Sequence, residues 1–412
     1  MRYAHIVGWG KFLPSRIMTN DDISKLVDTS DAWIRDRTGI SERRIAGDHE
    51  STSMLATQAA IAALDVAGIT ASQIDLIIVA TSTPENFFPS VACAVQDALG
   101  AEHAGAFDVS AACSGFVYAL ATGSDAIKAG SANYVLVIGA ETTSRILDWT
   151  DRNTCVLFGD GAGAVVLQAS DQPGGVLSQV LRADGSGGDL LYVCANGNGP
   201  KAISQKSGAS SGVLPVADSH FLHMNGREVY KFATRVIDKT LRDVMHRVGW
   251  TAGEIDLVVP HQANIRILES AMKSMAIPLD KCVLNLDRYG NTSAASIPIA
   301  MAEAADAGRL LLHHKVLTIG FGGGLTWAAA AIEWGVPKVI SKPQRTLNRF
   351  NTSIAGFKRD ARKLFRRTES RVLDTIDSTI GKPADTAPAR LPAKVVPPAE
   401  KDEAHIGADG AN

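Results

Sequence analysis

Hydrophobic positions along the chain form short continuous runs, and several runs follow a helical stretch and a glycine turn. Residues 67–80 align without gaps on residues 248–261, at an offset of 181 residues. The same offset places VLVIG, residues 135–139, on VLTIG, residues 316–320. Continuous apolar runs of this length are typical of strands buried on both faces in α/β layers. Because two separate segments keep one offset, the pattern predicts two similar α/β halves packed on each other.

The repeat divides the chain into two halves and an extension. We expect the first half to span residues 1–172 and the second half residues 173–335. Residues 196–212 are rich in Gly, Ser and Lys and predict a long exposed loop, the best candidate for a lid. Residues 336–380 place apolar side chains every three or four positions beside many basic ones, which predicts a basic amphipathic helix. Residues 381–412 are rich in Pro and Ala and predict a disordered tail.

Composition limits the class of protein. With 412 residues, of which 46% are hydrophobic and 20% charged, the chain can bury a large core. It contains no run of about 18 apolar residues, so no membrane-spanning helix is expected. Its N-terminal apolar stretch is too short and too interrupted for a signal peptide. The five cysteines include no CxxC pair, so we expect neither a disulfide framework nor a zinc site, and a cytoplasmic location fits best.

The net charge of −2 conceals an asymmetry. Residues 336–371 hold eleven Lys and Arg against two acidic residues, so the body of the chain is acidic and the start of the extension is basic. Two interpretations of the predicted basic helix stay open. In the first, the helix binds an anionic membrane surface or an acidic partner. In the second, its apolar stripe packs on the protein itself or on another copy of the protein. No nucleic-acid partner is expected.

Cys113 lies in the run DVSAACSGF, where a short strand is expected to give way to a helix. Phe107 and Val109 predict a short buried strand, and apolar residues at helical spacing begin at Phe116. A helix start exposes unpaired N–H groups and the positive end of the helix dipole, so we expect the pKa of the thiol to lie below about 8.5. A thiolate would make Cys113 a nucleophile. The alternative is a small buried hydrophobic residue.

Two more candidate segments follow predicted strands or turns. The second repeat ends in VPHQAN, which places His261 and Asn264 just past a strand. The segment LDRYGNTSAAS places Asn291 after Gly290 in a turn before a helix start rich in small residues. Ligands of α/β sheets gather beyond the carboxyl ends of the strands. On residue type alone, the alternatives are a hydrogen-bonded structural histidine and an ordinary turn asparagine.

The glycines of FGDGAGA, residues 158–164, superficially suggest a nucleotide-binding loop. Their spacing does not match G-x-G-x-x-G, and no acidic residue about 20 positions on closes a βαβ unit. We therefore predict tight backbone packing at these glycines. Neither a nucleotide redox cofactor nor a metal is expected.

Six motifs in one order resemble those of the β-ketoacyl-acyl carrier protein synthase III family, within the thiolase superfamily. They are SDAWIRDRTGISERR, DVSAACSGF, TDRNTCVLFGDGAGA, VPHQANIRI, DRYGNTSAAS and GFGGGLTW. The resemblance covers residues 1 to about 335 and implies an α/β fold, thiolase-like, with five αβαβα layers built from a duplicated half. It also implies an acyltransferase that condenses an acyl-CoA primer with malonyl-acyl carrier protein by decarboxylation. The product would be 3-oxoacyl-acyl carrier protein, at the start of fatty acid synthesis.

The resemblance assigns chemical roles residue by residue. It implies that Cys113 is the acylated nucleophile and that His261 and Asn291 bind the malonyl thioester and stabilise its enolate. It makes the backbone N–H groups of Cys113 and Gly323 the oxyanion hole. Coenzyme A thioester is then a substrate, and no bound cofactor is implied.

Further binding residues follow from the same resemblance. Recognition of coenzyme A is assigned to one aromatic and two basic side chains, Trp33, Arg37 and Arg152. Phe88 matches the position that closes the acyl pocket of the neighbouring subunit, which implies a homodimer and favours short primers. Arg266 and Lys273 match the basic helix face that docks acyl carrier protein. For each basic residue, the alternative is an ordinary solvated surface charge.

Two other functions stay open at this point. In the first alternative, the protein is an enzyme of the same design that transfers its acyl group to a different acceptor in secondary metabolism. In the second alternative, it is a non-catalytic paralogue that only binds acyl-CoA. Acylation of Cys113 is common to the leading function and the first alternative, so the three site residues do not separate them. The presence of Cys113, His261 and Asn291 argues against the second alternative.

Overall fold

A computed structural model of the protein describes residues 1–194 and 220–335. The predicted loop at 196–212, the predicted basic helix at 336–380 and the predicted tail at 381–412 lie outside the described residues. None of the described helices is long and apolar enough to span a membrane.

The described residues form nine α-helices and thirteen strands, with several short 3-10 turns. The helices are α1 (Asn20–Ile23), α2 (Asp31–Thr38), α3 (Thr52–Ala67), α4 (Val91–Leu99), α5 (Gly115–Lys128), α6 (Gly226–Val248), α7 (Ile265–Met275), α8 (Leu286–Tyr289) and α9 (Ser296–Asp306). The strands are β1 (Tyr3–Phe12), β2 (Ile17–Thr19), β3 (Glu42–Arg44), β4 (Leu76–Ala80), β5 (Gly105–Val109), β6 (Tyr134–Glu141), β7 (Gly161–Ser170), β8 (Gly175–Ala183), β9 (Leu191–Tyr192), β10 (His223–Met224), β11 (Leu257–Pro260), β12 (Lys315–Gly322) and β13 (Thr326–Glu333).

Most strands belong to two sheets of the same design. The first sheet has the order β1-β7-β6-β4-β5 and the second the order β11-β12-β13-β8. In the first, β4 runs parallel to β5 and β6, while β6, β7 and β1 are successively antiparallel. In the second, β11 runs parallel to β12, while β12, β13 and β8 are successively antiparallel. The chain therefore repeats one strand order and passes from the first sheet to the second between β7 and β8.

The structure also repeats at the offset found in the sequence. Helices α3 and α6 each end at a glycine in the left-handed conformation, Gly68 with φ 67° and Gly249 with φ 69°. Ala112 and Ser293, again 181 residues apart, have φ values of 45° and 49°, and each opens a short 3-10 helix. These two turns lead into α5 and α9. The predicted duplication is confirmed. The start of α5 in the first half is therefore structurally equivalent to the start of α9 in the second half.

Three hydrophobic cores hold five layers together. Helices α3 and α4 pack on the outer face of the first sheet, and α6 and α7 on the outer face of the second. Helices α5 and α9 share a core with strands of both sheets, so they form the central layer. A helix between two sheets has to be apolar nearly all round. Most positions of α5 and α9 are small or apolar and buried, with Thr122 and Asp125 on an exposed side of α5, and the predicted αβαβα order is confirmed.

Glycines in the FGDGAGA motif allow close backbone approach. A Cβ at Gly159 would overlap the carbonyl oxygen of Tyr289, and one at Gly163 would lie 2.5 Å from the backbone nitrogen of Ile299 in α9. Real Cβ atoms are not tolerated at such distances in a packed core. The interpretation of these glycines as packing residues is confirmed.

We expect Gly163→Ala to lower the free energy of unfolding by about 1–3 kcal/mol, because the added methyl group would push α9 away from β7. Urea unfolding followed by circular dichroism measures the change. Gly253→Ala is the matched control, since a Cβ at Gly253 would meet no atom within 4 Å. Equal effects of the two substitutions would show that packing at Gly163 is not the cause.

Strand β5, which leads to Cys113, is an edge strand. Its predicted existence is confirmed, but its predicted burial is wrong. Within the described residues β5 pairs with β4 alone, so one side of the strand stays open. Phe107 is accordingly 40% exposed.

Candidate active site

Cys113 lies in the 3-10 helix Ala112–Ser114, which runs directly into α5. The predicted strand-to-helix position of the thiol is therefore confirmed. The side chain is only 6% exposed, because the end of β12 lies against it. A Cβ at Gly322 would lie 2.9 Å from the backbone nitrogen of Cys113 and 3.2 Å from its Sγ, so glycine is needed there.

The thiol of Cys113 is not acidified by this position. Burial raises its pKa to about 12, and the Glu141 carboxylate acts in the same direction. The Ser293 hydroxyl, with Oγ 3.5 Å from Sγ, can stabilise the thiolate and acts in the opposite direction, but burial outweighs it. The predicted lowering of this pKa is wrong, because losing water around the charged form matters more here than the helix start. The resting residue is a thiol.

Asn291 is held in the turn between α8 and α9. Its backbone nitrogen donates to Leu157 O at 2.9 Å, and its carbonyl accepts from the nitrogen of Gly159 at 3.0 Å. Its side-chain oxygen accepts a hydrogen bond from the backbone nitrogen of Ser293 at 2.8 Å. That bond fixes the orientation of the amide. Among the described residues Nδ2 has no hydrogen-bond partner, so it is free to donate to a ligand.

His261 directly follows β11, as predicted, and is 1% exposed. Its backbone nitrogen donates to Ile319 O at 2.8 Å, and its ring lies edge-on to Phe321 with 5.2 Å between centroids. Ring Nδ1 lies 2.6 Å from Ser296 Oγ. Burial lowers the pKa of His261 to about 3, so the imidazole is neutral at working pH.

The turn that begins α9 ties the three predicted residues together. Ser293 contacts the sulfur of Cys113, and its backbone is held by the Asn291 side chain. Ser296 contacts His261 Nδ1, and its hydroxyl also lies 2.8 Å from Ser293 O. The structure therefore brings Cys113, His261 and Asn291 around one short turn.

Glu141, at the end of β6, was not predicted as part of the site. It is fully buried, and burial raises the pKa of its carboxyl group. Its oxygens accept hydrogen bonds from Thr83 Oγ1 at 2.6 Å, from the Ser82 nitrogen at 3.1 Å and from Ser293 Oγ at 3.0 Å. The sequence signal was an acidic residue closing the apolar run VLVIGAE. Charged residues are rarely fully buried, so such a position points to a specific role.

The three residues predicted to bind coenzyme A are brought together at the surface. The guanidinium carbons of Arg37 and Arg152 each lie 5.2 Å from the ring centroid of Trp33, which is within cation–π range. Trp33 and Arg152 line a cavity of about 630 Å³. Leu157 also lines this cavity, and its carbonyl holds Asn291, so the cavity adjoins the turn at the candidate site.

Gly323 and Asn264 have different surroundings. Gly323 follows β12, and a Cβ there would lie 3.6 Å from the Cβ of Ala112, so the glycine loop adjoins the turn of Cys113. Asn264 is the N-cap of α7; its Oδ1 accepts from the nitrogen of Arg266, and its Nδ2 donates to Arg37 O. Asn264 therefore orders the helix start instead of joining His261.

The remaining predicted residues lie at the surface. Phe88 is 86% exposed. Arg266 and Lys273 are exposed on α7, two helical turns apart, and Arg266 Nη2 pairs with Asp36 Oδ2 at 2.9 Å. Across residues 1–194 and 220–335, no group of three or more His, Cys, Asp and Glu side chains is placed to hold a metal ion.

The duplicated five-layer fold, with a buried cysteine at the start of α5, defines a condensing enzyme of the thiolase-like class. Two family models match this chain: 3-oxoacyl-[acyl-carrier-protein (ACP)] synthase III over residues 107–185, and the C-terminal part of the same family over residues 245–334. A β-ketoacyl-[acyl-carrier-protein] synthase III of Roseiflexus castenholzii is 49% identical over 332 residues, which cover 81% of this chain and 98% of the relative.

Solved structures agree with the sequence comparison. The crystal structure of 3-oxoacyl-[acyl-carrier-protein] synthase III from Aquifex aeolicus is 44% identical, with a TM-score of 0.74, and covers 80% of this chain and 100% of its own. That of β-ketoacyl-[acyl carrier protein] synthase III from Thermus thermophilus is also 44% identical, with a TM-score of 0.75, and covers 80% and 99%. The chain belongs to the β-ketoacyl-[acyl-carrier-protein] synthase III family and is an acyl-transferring condensing enzyme.

Proposed function

We propose that the protein condenses an acyl-CoA primer with malonyl-acyl carrier protein, releases carbon dioxide and coenzyme A, and forms 3-oxoacyl-acyl carrier protein. This is the condensation that initiates fatty acid synthesis. The observation that carries the proposal is the convergence of a buried thiol, a neutral imidazole and a free amide donor on one turn. Family membership supports malonyl-acyl carrier protein as the acceptor over another acceptor of secondary metabolism.

The first half-reaction transfers the acyl group to Cys113. Its sulfur attacks the thioester carbonyl, and coenzyme A leaves. We assign the developing oxyanion to the backbone N–H groups of Cys113 and Gly323, a role supported by the helix start at Cys113 and by the glycine loop beside it. Because the resting residue is a thiol, its proton has to leave as the sulfur–carbon bond forms.

The second half-reaction needs hydrogen-bond donors for an enolate. Loss of carbon dioxide from the malonyl group leaves a negative oxygen, and Asn291 Nδ2 is a free donor. The Ser296 hydroxyl lies 2.6 Å from His261 Nδ1 and 2.8 Å from Ser293 O, and we assign its proton to Nδ1 for this half-reaction. The ring proton then resides on Nε2, and a neutral His261 can donate beside Asn291. The enolate carbon attacks the acyl group on Cys113.

A two-step assay tests this function. The protein is first incubated with acyl-CoA alone, and acylation is followed by intact-protein mass spectrometry. Malonyl-acyl carrier protein is then added, and we expect loss of the acyl group from the protein together with 3-oxoacyl-acyl carrier protein. Persistence of acylated protein after this addition would point to a different acceptor. Absence of acylation in the first step would leave only a binding function.

We assign coenzyme A recognition to Trp33 with Arg37 and Arg152. The Trp33 ring lines the 630 Å³ cavity and has two guanidinium carbons 5.2 Å from its centroid, and this arrangement suits an adenine ring together with phosphate groups.

Replacing Trp33 with Ala should raise the KM for acyl-CoA about tenfold and leave kcat nearly unchanged, because the ring contributes binding and no chemistry. Initial rates at varied acyl-CoA concentration measure both constants. Trp250→Ala is the matched control, because it also removes a cation–π pair: Lys315 Nζ lies 5.4 Å from the Trp250 ring centroid. Trp250 precedes the start of β11, whereas His261 follows the end of that strand. A fall in kcat without a change in KM would contradict the assignment.

We propose a homodimer formed through the open side of β5. Phe87 is 74% exposed and Phe88 86% exposed, next to an edge strand that carries the half-exposed Phe107. Unpaired strand edges and clustered exposed aromatic residues mark interaction surfaces. A second copy paired at this edge would cover these rings, and Phe88 could then reach the acyl pocket of the partner.

Sedimentation velocity tests this interface. We expect the unaltered protein to sediment as a dimer and Phe107→Glu to shift the population toward monomer, because a buried charge at an interface is costly without a partner. Leu311→Glu, at a residue that is 55% exposed in the loop before β12, should leave the dimer intact. Dimers of equal strength in both variants would exclude the β5 edge.

The exposed Arg266 and Lys273 on α7 support docking of acyl carrier protein, since the helix begins only a few residues after His261. Basic side chains steer and orient an acidic partner. Binding of the predicted helix at 336–380 to an anionic membrane or an acidic partner remains a proposal from the sequence pattern. All five cysteines are free thiols, which is compatible with a reducing cytoplasm.

A further inference from the structure

The Cys113 thiol faces a continuous hydrogen-bonded chain that the reaction described above does not yet use. Sγ lies 3.5 Å from Ser293 Oγ, and Ser293 Oγ lies 3.0 Å from Glu141 Oε1. All three residues are buried, with Glu141 fully so. A buried carboxyl group two hydrogen bonds from the reacting sulfur is a strong proton acceptor in a site that excludes water.

The surroundings of Glu141 fix the direction of these hydrogen bonds. Thr83 Oγ1 accepts the backbone N–H of Thr142 at 2.9 Å, so its single proton points to Glu141. Thr81 Oγ1 likewise accepts the backbone N–H of Thr83 at 3.1 Å and donates to Glu141. With the backbone N–H of Ser82, every neighbour bonded to the two carboxyl oxygens is a donor. This pattern matches an ionised carboxylate, which only accepts hydrogen bonds.

The Ser293 hydroxyl is therefore oriented to connect the Cys113 thiol with the Glu141 carboxylate. Its hydroxyl proton points to Glu141, which leaves an oxygen lone pair for the S–H of Cys113. Its backbone is held by the Asn291 side chain and has a left-handed φ of 49°. Such a backbone conformation is unusual for a residue other than glycine, asparagine or aspartate, and it often occurs at functional sites.

We propose that the thiol proton of Cys113 leaves through Ser293 to Glu141 during acylation, an inference that rests on the proposed function. As the bond between Sγ and the acyl carbon forms, the Sγ proton moves to Ser293 Oγ and the Ser293 hydroxyl proton moves to Glu141 Oε1. The bond between the acyl carbon and the coenzyme A sulfur breaks. The departing thiolate takes a proton back along the same path, so Glu141 ends as a carboxylate and coenzyme A leaves as a thiol.

In this assignment Ser293 is a catalytic residue, because it touches the reacting sulfur, and Glu141 is a positioning residue that acts through it. His261 is not a member of this hydrogen-bonded chain, because its Nδ1 contacts Ser296. The titratable groups on the chain are thus Cys113 and Glu141, and His261 stays neutral for the second half-reaction. The two half-reactions use different polar groups.

The test measures the rate of acyl transfer from acyl-CoA to the protein, by rapid quench and intact-protein mass spectrometry, between pH 6 and 10. We expect Ser293→Ala and Glu141→Gln each to slow acylation roughly 10²-fold at neutral pH. The double variant should be no slower than the single ones, because both residues serve one path. Ser124→Ala, which removes another buried serine hydroxyl within α5, is the matched control and should acylate at the normal rate.

The pH profile separates proton transfer from structural damage. Without the path, Cys113 has to ionise by itself, so the variants should gain about tenfold in rate per pH unit and approach the unaltered enzyme at high pH. A rate that stays low at every pH, or variants with the normal rate at neutral pH, would overturn the proposal. If Glu141→Gln fails to fold by circular dichroism, Ser293→Ala carries the test. Absence of acylation in the unaltered protein would instead reject the proposed function.

Discussion

Replacing Cys113 with Ala should abolish both half-reactions and lower the overall rate by about 10⁴- to 10⁶-fold, in the range seen when a covalent nucleophile is removed. No other group in the described part of the site can hold the acyl primer in the same place, because Cys113 alone carries a nucleophilic sulfur beside the Ser293 turn. The measurement is formation of 3-oxoacyl-acyl carrier protein from acyl-CoA and malonyl-acyl carrier protein.

The control for this substitution is Cys194→Ala, which removes a partly exposed thiol before the segment 195–219. It should leave the rate within a factor of about two, because this partly exposed side chain has no assigned role in binding or chemistry and most such substitutions change little. Equal loss in the two variants would show that removing any thiol harms the protein. Normal rates in Cys113→Ala would contradict the assignment of the nucleophile.

Replacing Asn291 with Asp should remove condensation while Cys113 is still acylated. The substitution exchanges the free Nδ2 donor for an acceptor that repels the enolate, and loss of one such donor costs about 10²- to 10³-fold. The carboxylate can still accept the Ser293 N–H, so the turn itself should persist. Acylation is measured by intact-protein mass spectrometry and condensation by release of carbon dioxide from malonyl-acyl carrier protein.

The two readouts are compared in the same preparation. Selective loss of condensation supports the division of labour between Cys113 and Asn291. Equal loss of acylation and condensation would contradict it and would instead indicate that Asn291 only supports the fold of the turn. Thermal unfolding of the variant distinguishes a damaged fold from a missing donor.

Much of the framework could be predicted from the sequence because it depends on repeated local patterns. The shared offset of 181 residues predicted the duplicated sheets, and the small-residue turns predicted where Cys113 and Asn291 would lie. The same turns carry the positive φ values of Ala112 and Ser293. Glycine spacing in FGDGAGA predicted close packing, which the contacts of Gly163 confirm.

Other features depend on contacts between distant segments and could not be predicted in this way. The pKa of Cys113 is set by burial under β12 and by Glu141, about 28 residues away in sequence, and not by its helix start alone. The exposure of Phe107 follows from β5 lying at the sheet edge, which its own residues do not specify. The hydrogen bond from Asn264 Nδ2 to Arg37 O likewise joins segments that are distant in the sequence.

The central claim is that Cys113 carries the acyl primer, and locating the acyl group after incubation with acetyl-CoA tests it most directly. The protein is digested, and its cysteine peptides are examined by tandem mass spectrometry. The account predicts one acetyl group, on Cys113, that disappears when malonyl-acyl carrier protein is added. An unmodified Cys113, or an acetyl group on Cys155, Cys194 or another cysteine, would contradict the account.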